Sequence, residues 1–187
     1  MLRLFLAIKF DPEPVMLDFI RRFRNSVGEK GISWVAPINW HITVKFLGDT
    51  PKERIPEITA ALAEPCTCTA PIGFAVNRLG VFGSRFRPRV VWLGTESAGK
   101  LEELLGRVRQ NLVPLGWEMD NQNLVPHITL ARIRYLYDTK LFQDTLDRYT
   151  HVPGQQCTAS DLILYESILT KKGPVYHQRA LIPFSGK

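Results

Sequence analysis

The chain has 187 residues, 45% of them hydrophobic, and a formal net charge of +6 from 24 lysines and arginines against 18 acidic residues. That length and apolar content suit one compact domain, or two closely packed halves, and exclude a disordered chain. The mild basic excess favours an anionic partner without identifying it.

The opening MLRLFLAIKFDPEP is too short, and too interrupted by Lys9 and Asp11, for a signal peptide or a membrane span. Leu2 to Phe10 instead reads as a strand ended by the Asp11-Pro12 turn signal. A helix follows from about Glu13 to Lys30, with Val15, Phe19, Phe23 and Val27 on its inner face and Gly31 as its stop. Ser33 to Val35 is a short strand and Trp40 to Leu47 a longer one, and Pro51 opens a second helix whose Ile55, Ile58 and Leu62 face inward. Cys66 and Cys68, in CTCT, and Cys157 lack the spacing of a structural zinc site and read as reduced thiols of a cytoplasmic protein. Strands near Phe74 to Leu79 and Arg89 to Leu93 precede a third helix, Lys100 to Leu115, and a strand from His127 to about Arg134. A helix from Thr139 to Tyr149 and two late strands, Asp161 to Ser167 and Tyr176 to Phe184, complete the order. Short connections and the absence of a Gly-, Ser- or Pro-rich linker predict a single α+β domain over 1–187.

Two of the four histidines occupy the same pattern. His-Ile-Thr-Val sits in NWHITVKFLGD and His-Ile-Thr-Leu in LVPHITLARIR, 127 − 41 = 86 residues apart, which suggests a pseudo-twofold arrangement. Strand side chains alternate faces, so His41 and Thr43 point one way, Trp40, Ile42 and Val44 the other, and Lys45 is expected on the face of His41. His127 and Thr129 repeat the pattern. Side by side, the two strands bring two imidazoles and two hydroxyls to one cleft.

That set suits displacement at phosphorus. Histidine titrates near neutrality, so a pair holds one neutral base and one protonated acid at the same pH. The attacking and leaving oxygens lie in line on opposite sides of the phosphorus, where two histidines related by a twofold flank them. Threonine hydroxyls donate to the non-bridging oxygens. One His-x-Thr on a strand is usually a partly buried histidine with a satisfied hydrogen bond, but two copies on matched strands require that accident twice. No Asp, Glu or Cys lies at ligand spacing beside either copy, which argues against a metal site.

WHITVKFLGD and VPHITLARIR resemble the two signature motifs of the two-histidine phosphoesterase superfamily, in particular its bacterial and archaeal RNA 2′,3′-cyclic phosphodiesterases, historically called 2′-5′ RNA ligases. RLFLAIKF, RPRVVWLG and LILYESILTKKGPVYHQRALIPF are similar to further segments of that family, in its order, so the likeness covers nearly the whole chain. The resemblance implies a bilobal α+β fold, two pseudo-symmetric lobes of mostly antiparallel sheet with helices outside and a central cleft. It also implies opening of RNA 2′,3′-cyclic phosphates to 2′-phosphomonoesters without a metal or nucleotide cofactor. By position His41 matches the proton donor to the 3′-oxygen, His127 the acceptor from water, and Thr43 and Thr129 the phosphate-binding hydroxyls. The expected partner is RNA ending in a 2′,3′-cyclic phosphate, or a small cyclic nucleotide, bound by a monomer with no membrane contact. RNA-end binding or 2′-5′ ligation as the main role is the alternative.

Further candidates for substrate binding are less specific. RLGVFGSRFRPR interleaves Arg78, Arg85, Arg87 and Arg89 with Phe82 and Phe86, as a loop that grips a single-stranded RNA end would, or as a solvated loop would. Arg132 follows the second motif, but strict alternation turns it away from His127 unless a bulge re-aims it. Lys45 is a cleft cation or a solvated strand-end lysine. His151 and His177 belong to no repeat and read as surface or packing residues, and Tyr165 as a core-strand aromatic within reach of the cleft.

Overall fold

A computed structural model describes residues 1–84, 86–119, 125–171 and 173–186. Among the described residues nine strands form one antiparallel sheet: β1 (Leu2–Lys9), β2 (Ile32–Trp34), β3 (His41–Thr50), β4 (Ile72–Ser84), β5 (Arg87–Glu96), β6 (His127–Ile133), β7 (Gln155–Ala159), β8 (Asp161–Thr170) and β9 (Gly173–Pro183). Their order is β7-β4-β5-β6-β3-β1-β8-β9, with β2 alongside β6. Along that order lie two four-strand halves, one of them extended by β2, and they meet where β6 touches β3, at the pair Ile42 and Ile128. This is the bilobal α+β architecture the sequence predicts.

Four α-helices among the described residues pack against one side: α1 (Pro14–Val27), α2 (Ile55–Thr67), α3 (Lys100–Leu112) and α4 (Thr139–Arg148). Pro14 opens α1 with its φ already helical and no amide to lose, and Gly28 closes it at φ 79°, a conformation glycine adopts without penalty. The buried face of α1 is Met16, Phe19, Ile20 and Phe23, one position out of phase with the predicted start of the stripe, so Val15 is exposed. Phe23 and Phe19 meet Tyr149 edge-on from the end of α4, with ring centroids 5.3 Å apart in both pairs. Asp138 caps α4 by accepting from the Leu141 amide at 2.8 Å. The third predicted helix ends at Leu112 and tightens into a 3-10 turn over Val113–Leu115, where Pro114 has no amide to extend the α ladder.

β7 has no counterpart among the predicted strands, because Gln155 to Ala159 carries little of the β-branched or aromatic signal that marks a strand. It pairs with β4 at the sheet's edge, and Gln155, buried, bonds to both the Asp11 carbonyl (2.9 Å) and the Glu13 amide (3.0 Å), tying the β1–α1 turn to it. Among the described residues no helix is long and apolar enough to cross a membrane.

Candidate active site

The two motif strands have the same local structure. His41 Nδ1 lies 2.7 Å from the Asn39 carbonyl and His127 Nδ1 lies 2.8 Å from the Val125 carbonyl, two residues upstream in each case. A carbonyl only accepts, so each Nδ1 carries the hydrogen and each Nε2 is left as the nitrogen that gives or takes a proton. The carbonyl at 39 is held by a 3-10 turn, Pro37–Asn39, whose Asn39 side chain donates to the Pro174 carbonyl at 2.9 Å. Val125 precedes Pro126, which favours the extended backbone there.

Strand pairing locates the faces. Lys9 and Ala7 stand opposite His41 and Thr43, and Gly94 and Trp92 opposite His127 and Thr129. Ile42 and Ile128, between them, are fully buried in the core. Neither threonine hydroxyl bonds to another protein group among the described residues. Both histidines and both threonines therefore lie partly exposed on the side of the sheet away from the helices, across the Ile42–Ile128 contact.

Each motif strand then bulges at the same place. Thr43 pairs with Ala7 but Lys45 with Leu6, which makes Val44 an extra residue; Thr129 pairs with Trp92 but Ala131 with Val91, which makes Leu130 extra. A bulge sets two residues against one, so Val44 and Lys45 share the face of Leu6, and Leu130 and Ala131 that of Val91, both core residues at 0% exposure. Lys45 therefore does not share the face of His41: its side chain is buried on the core side and Nζ donates to the Glu118 carbonyl at 2.7 Å. The same bulge reverses the alternation beyond it. Phe46, opposite Phe5, and Arg132, opposite Val90, come to the histidine side.

Aromatic rings wall both imidazoles. Phe5 lies 5.1 Å from His41 and Tyr176 meets it edge-on at 5.5 Å, while Phe82 meets His127 edge-on at 4.7 Å. Trp92 lies over Gly80 and Gly94, where a Cβ would collide with its ring. Burial pushes both imidazoles below the ordinary histidine value of 6.5, against the pull of the two carbonyls. The charge of each neighbour adds to this, His127 acting on His41 and Arg132 on His127. Burial raises Tyr176 above the ordinary tyrosine value and Arg132 partly offsets it, so that guanidinium acts on residues of both lobes.

Of the other candidates, Arg78 stands in β4 opposite Gly94, in the row of His127. RLGVFGSRFRPR is not a loop but the β4–β5 hairpin, and Arg87, Arg89 and Phe86 lie at its tip, at the opposite end of β5 from Gly94. Arg85 lies outside the described residues. His151 and His177 are exposed, and Tyr165 stacks on Phe5 at 5.4 Å. Sequence reasoning missed Phe46, Phe5 and Tyr176. Phe46 carried a signal, since it precedes Arg132 by the same 86 residues that separate the histidines. Among the described residues no three of His, Cys, Asp and Glu cluster as a metal would need.

A family model described as LigT-like phosphoesterase matches residues 10–92 and again 93–176. The RNA 2′,3′-cyclic phosphodiesterase of Methanocaldococcus jannaschii is 33% identical over 175 residues, covering 94% of this chain and 96% of that protein. That of Thermotoga maritima is 30% identical over 183 residues, covering 94% and 91%. The crystal structure of TT0787 of Thermus thermophilus aligns over 99% of both chains with a TM-score of 0.77 and 26% identity.

Proposed function

The chain belongs to the LigT-like phosphoesterase family, and from that premise we propose that it hydrolyses RNA 2′,3′-cyclic phosphates to 2′-phosphomonoesters by general acid and base catalysis from its two histidines. One observation carries the mechanism: two imidazoles, each with Nδ1 tied to a carbonyl two residues back, present Nε2 across the Ile42–Ile128 contact. His127 Nε2 takes a proton from water as the oxygen attacks phosphorus, the bond to the 3′-oxygen breaks, and His41 Nε2 protonates that oxygen. Burial is the main force that disfavours the charged form of His127, and the charge of Arg132 adds to it, which suits His127 to the part of the base. Thr43, Thr129 and Arg132 donate to the non-bridging oxygens as charge builds on them.

Because each lobe supplies one histidine and one threonine, the two lobes act as a single domain and a monomer suffices. The free state of Cys66, Cys68 and Cys157 fits a reducing, cytoplasmic setting. Joining the cyclic phosphate to a 5′-hydroxyl is the same step with that hydroxyl in place of water.

The test is incubation with an oligoribonucleotide ending in a 2′,3′-cyclic phosphate, with and without excess EDTA, followed by location of the product's phosphate. A 2′-phosphate formed equally in both is expected. A 3′-phosphate would reverse the orientation of the ribose between the histidines, and activity that EDTA abolishes and a divalent metal restores would refute the two-histidine mechanism.

A further inference from the structure

The tip of the β4–β5 hairpin and the residues following β6 enclose a cavity of about 380 Å³ that the mechanism above does not use. Arg87 and Arg89 reach it from the hairpin and Arg134 from beyond β6. Phe86 and Tyr135 line it with large free surfaces, 76% and 51% exposed. None of the three arginines pairs with a carboxylate among the described residues. Guanidiniums gathered around one concavity without counter-charge repel one another, and an anion with several acceptor oxygens relieves that repulsion. Arg134 follows Arg132 by two residues, about 7 Å along an extended chain, and Arg132 faces the histidines. Arg132 and Arg134 thus place two cations in succession from the histidine side toward the cavity.

We infer that this cavity is a second nucleotide site for single-stranded RNA. Its guanidiniums hold the phosphodiester next to the reacting one, and Phe86 and Tyr135 offer ring faces to the attached base. The inference rests on the function proposed above. Two sources present the same chemistry: the nucleotide 5′ to the cyclic phosphate on one strand, or a separate strand with a 5′-hydroxyl. In the second case the P–O5′ bond forms and the P–O3′ bond breaks, with His127 taking the hydroxyl proton and His41 protonating the 3′-oxygen.

The experiment compares wild type with an Arg89→Gln/Arg134→Gln double variant, its fold checked by circular dichroism. One arm uses a mononucleoside 2′,3′-cyclic phosphate and the di- and trinucleotides that end in one. Wild type should show a KM about tenfold lower for the dinucleotide than for the mononucleoside, the worth of a charge-assisted hydrogen bond. The double variant should lose that advantage while turning over the mononucleoside unchanged, and its salt dependence should flatten by about 0.7 in log–log slope per guanidinium removed. The other arm adds a dinucleotide with a 5′-hydroxyl to the mononucleoside reaction. Its inhibition of wild type, or its joining, lost in the double variant, would support the site and assign it to a separate strand. The site is overturned if neither arm separates wild type from variant, or if the variant loses mononucleoside turnover in proportion. A wild type that hydrolyses none of the three substrates would overturn both this inference and the function beneath it.

Discussion

β3 and β6 carry the same tetrapeptide on the same backbone, with the same imidazole-to-carbonyl bond and the same bulge after the threonine, yet the residue each bulge turns into the cleft differs. In the first lobe it is Phe46, 61% exposed and 6.0 Å from Phe5; in the second it is Arg132. In the mechanism proposed above the repeated part of the two lobes supplies a symmetric pair of proton carriers, and a symmetric pair has no built-in direction. The positions that do not repeat are the ones able to supply it. A guanidinium beside His127 favours its neutral form, and the aromatic residues around His41 have no charge of their own.

The largest effects should come from the part that repeats. His41→Ala and His127→Ala should each lower turnover by about 10² to 10⁴, the range for a lost general acid or base, with circular dichroism unchanged. Near-wild-type rates in either folded variant would show that the matched strands are only a structural repeat. The non-repeating pair should come next and should differ sharply. Arg132→Ala should lower kcat/KM by about 10² to 10³, on the scale of a lost oxyanion donor, whereas Phe46→Ala should change it only a few-fold and through KM. Equal losses in both would abolish the distinction between the lobes. Thr43→Val and Thr129→Val should cost about 10 to 10³ each, and a large gap between them would mean that the phosphate sits nearer one lobe.

The pH profile should also distinguish the two histidines. Both imidazoles are pushed below 6.5, so each releases its proton more readily than a free histidine. The state with one proton shared between them is then most populated on the acid side of 6.5 in the free enzyme, and kcat/KM, which reports that state, should peak there. Arg132→Gln removes a charge that lowers His127, so His127 should hold its proton to higher pH and the acid limb should move up. A limb that stays in place would separate Arg132 from the base. The smallest effect on activity should come from Lys45→Met, within about twofold in kcat/KM, because the lysine faces away from the histidines. It should still lower stability by about 1 to 2 kcal/mol by leaving the buried side of the Glu118 carbonyl contact unmade, measurable as a shift of the denaturation midpoint. A large loss of activity without loss of stability would put Lys45 back in the cleft.

Much of this was legible in residue order because it rests on short-range periodicity. The two-residue alternation of a strand sets His41 with Thr43 and His127 with Thr129, and the helical spacing of Leu101, Leu104, Leu105 and Val108 sets the buried face of α3; α1, by contrast, stops at Gly28, three residues before the expected Gly31. What escaped was of another kind. β7 is a strand because β4 offers it an edge to pair with, not because Gln155 to Ala159 favours extension. Tyr176 and Phe82 reach the histidines because their hairpins are paired into the sheet on either side of the motif strands.

Residue order alone placed two imidazoles and two hydroxyls 86 residues apart, each set on one face of its strand. Which neighbours join them followed from the packing of the strands. A bulge exists only in relation to a partner strand, as one residue more on one side of a ladder than on the other. Lys45 thus turned into the core and Arg132 into the cleft through the registers of β1 with β3 and β5 with β6, which no periodicity within either motif contains.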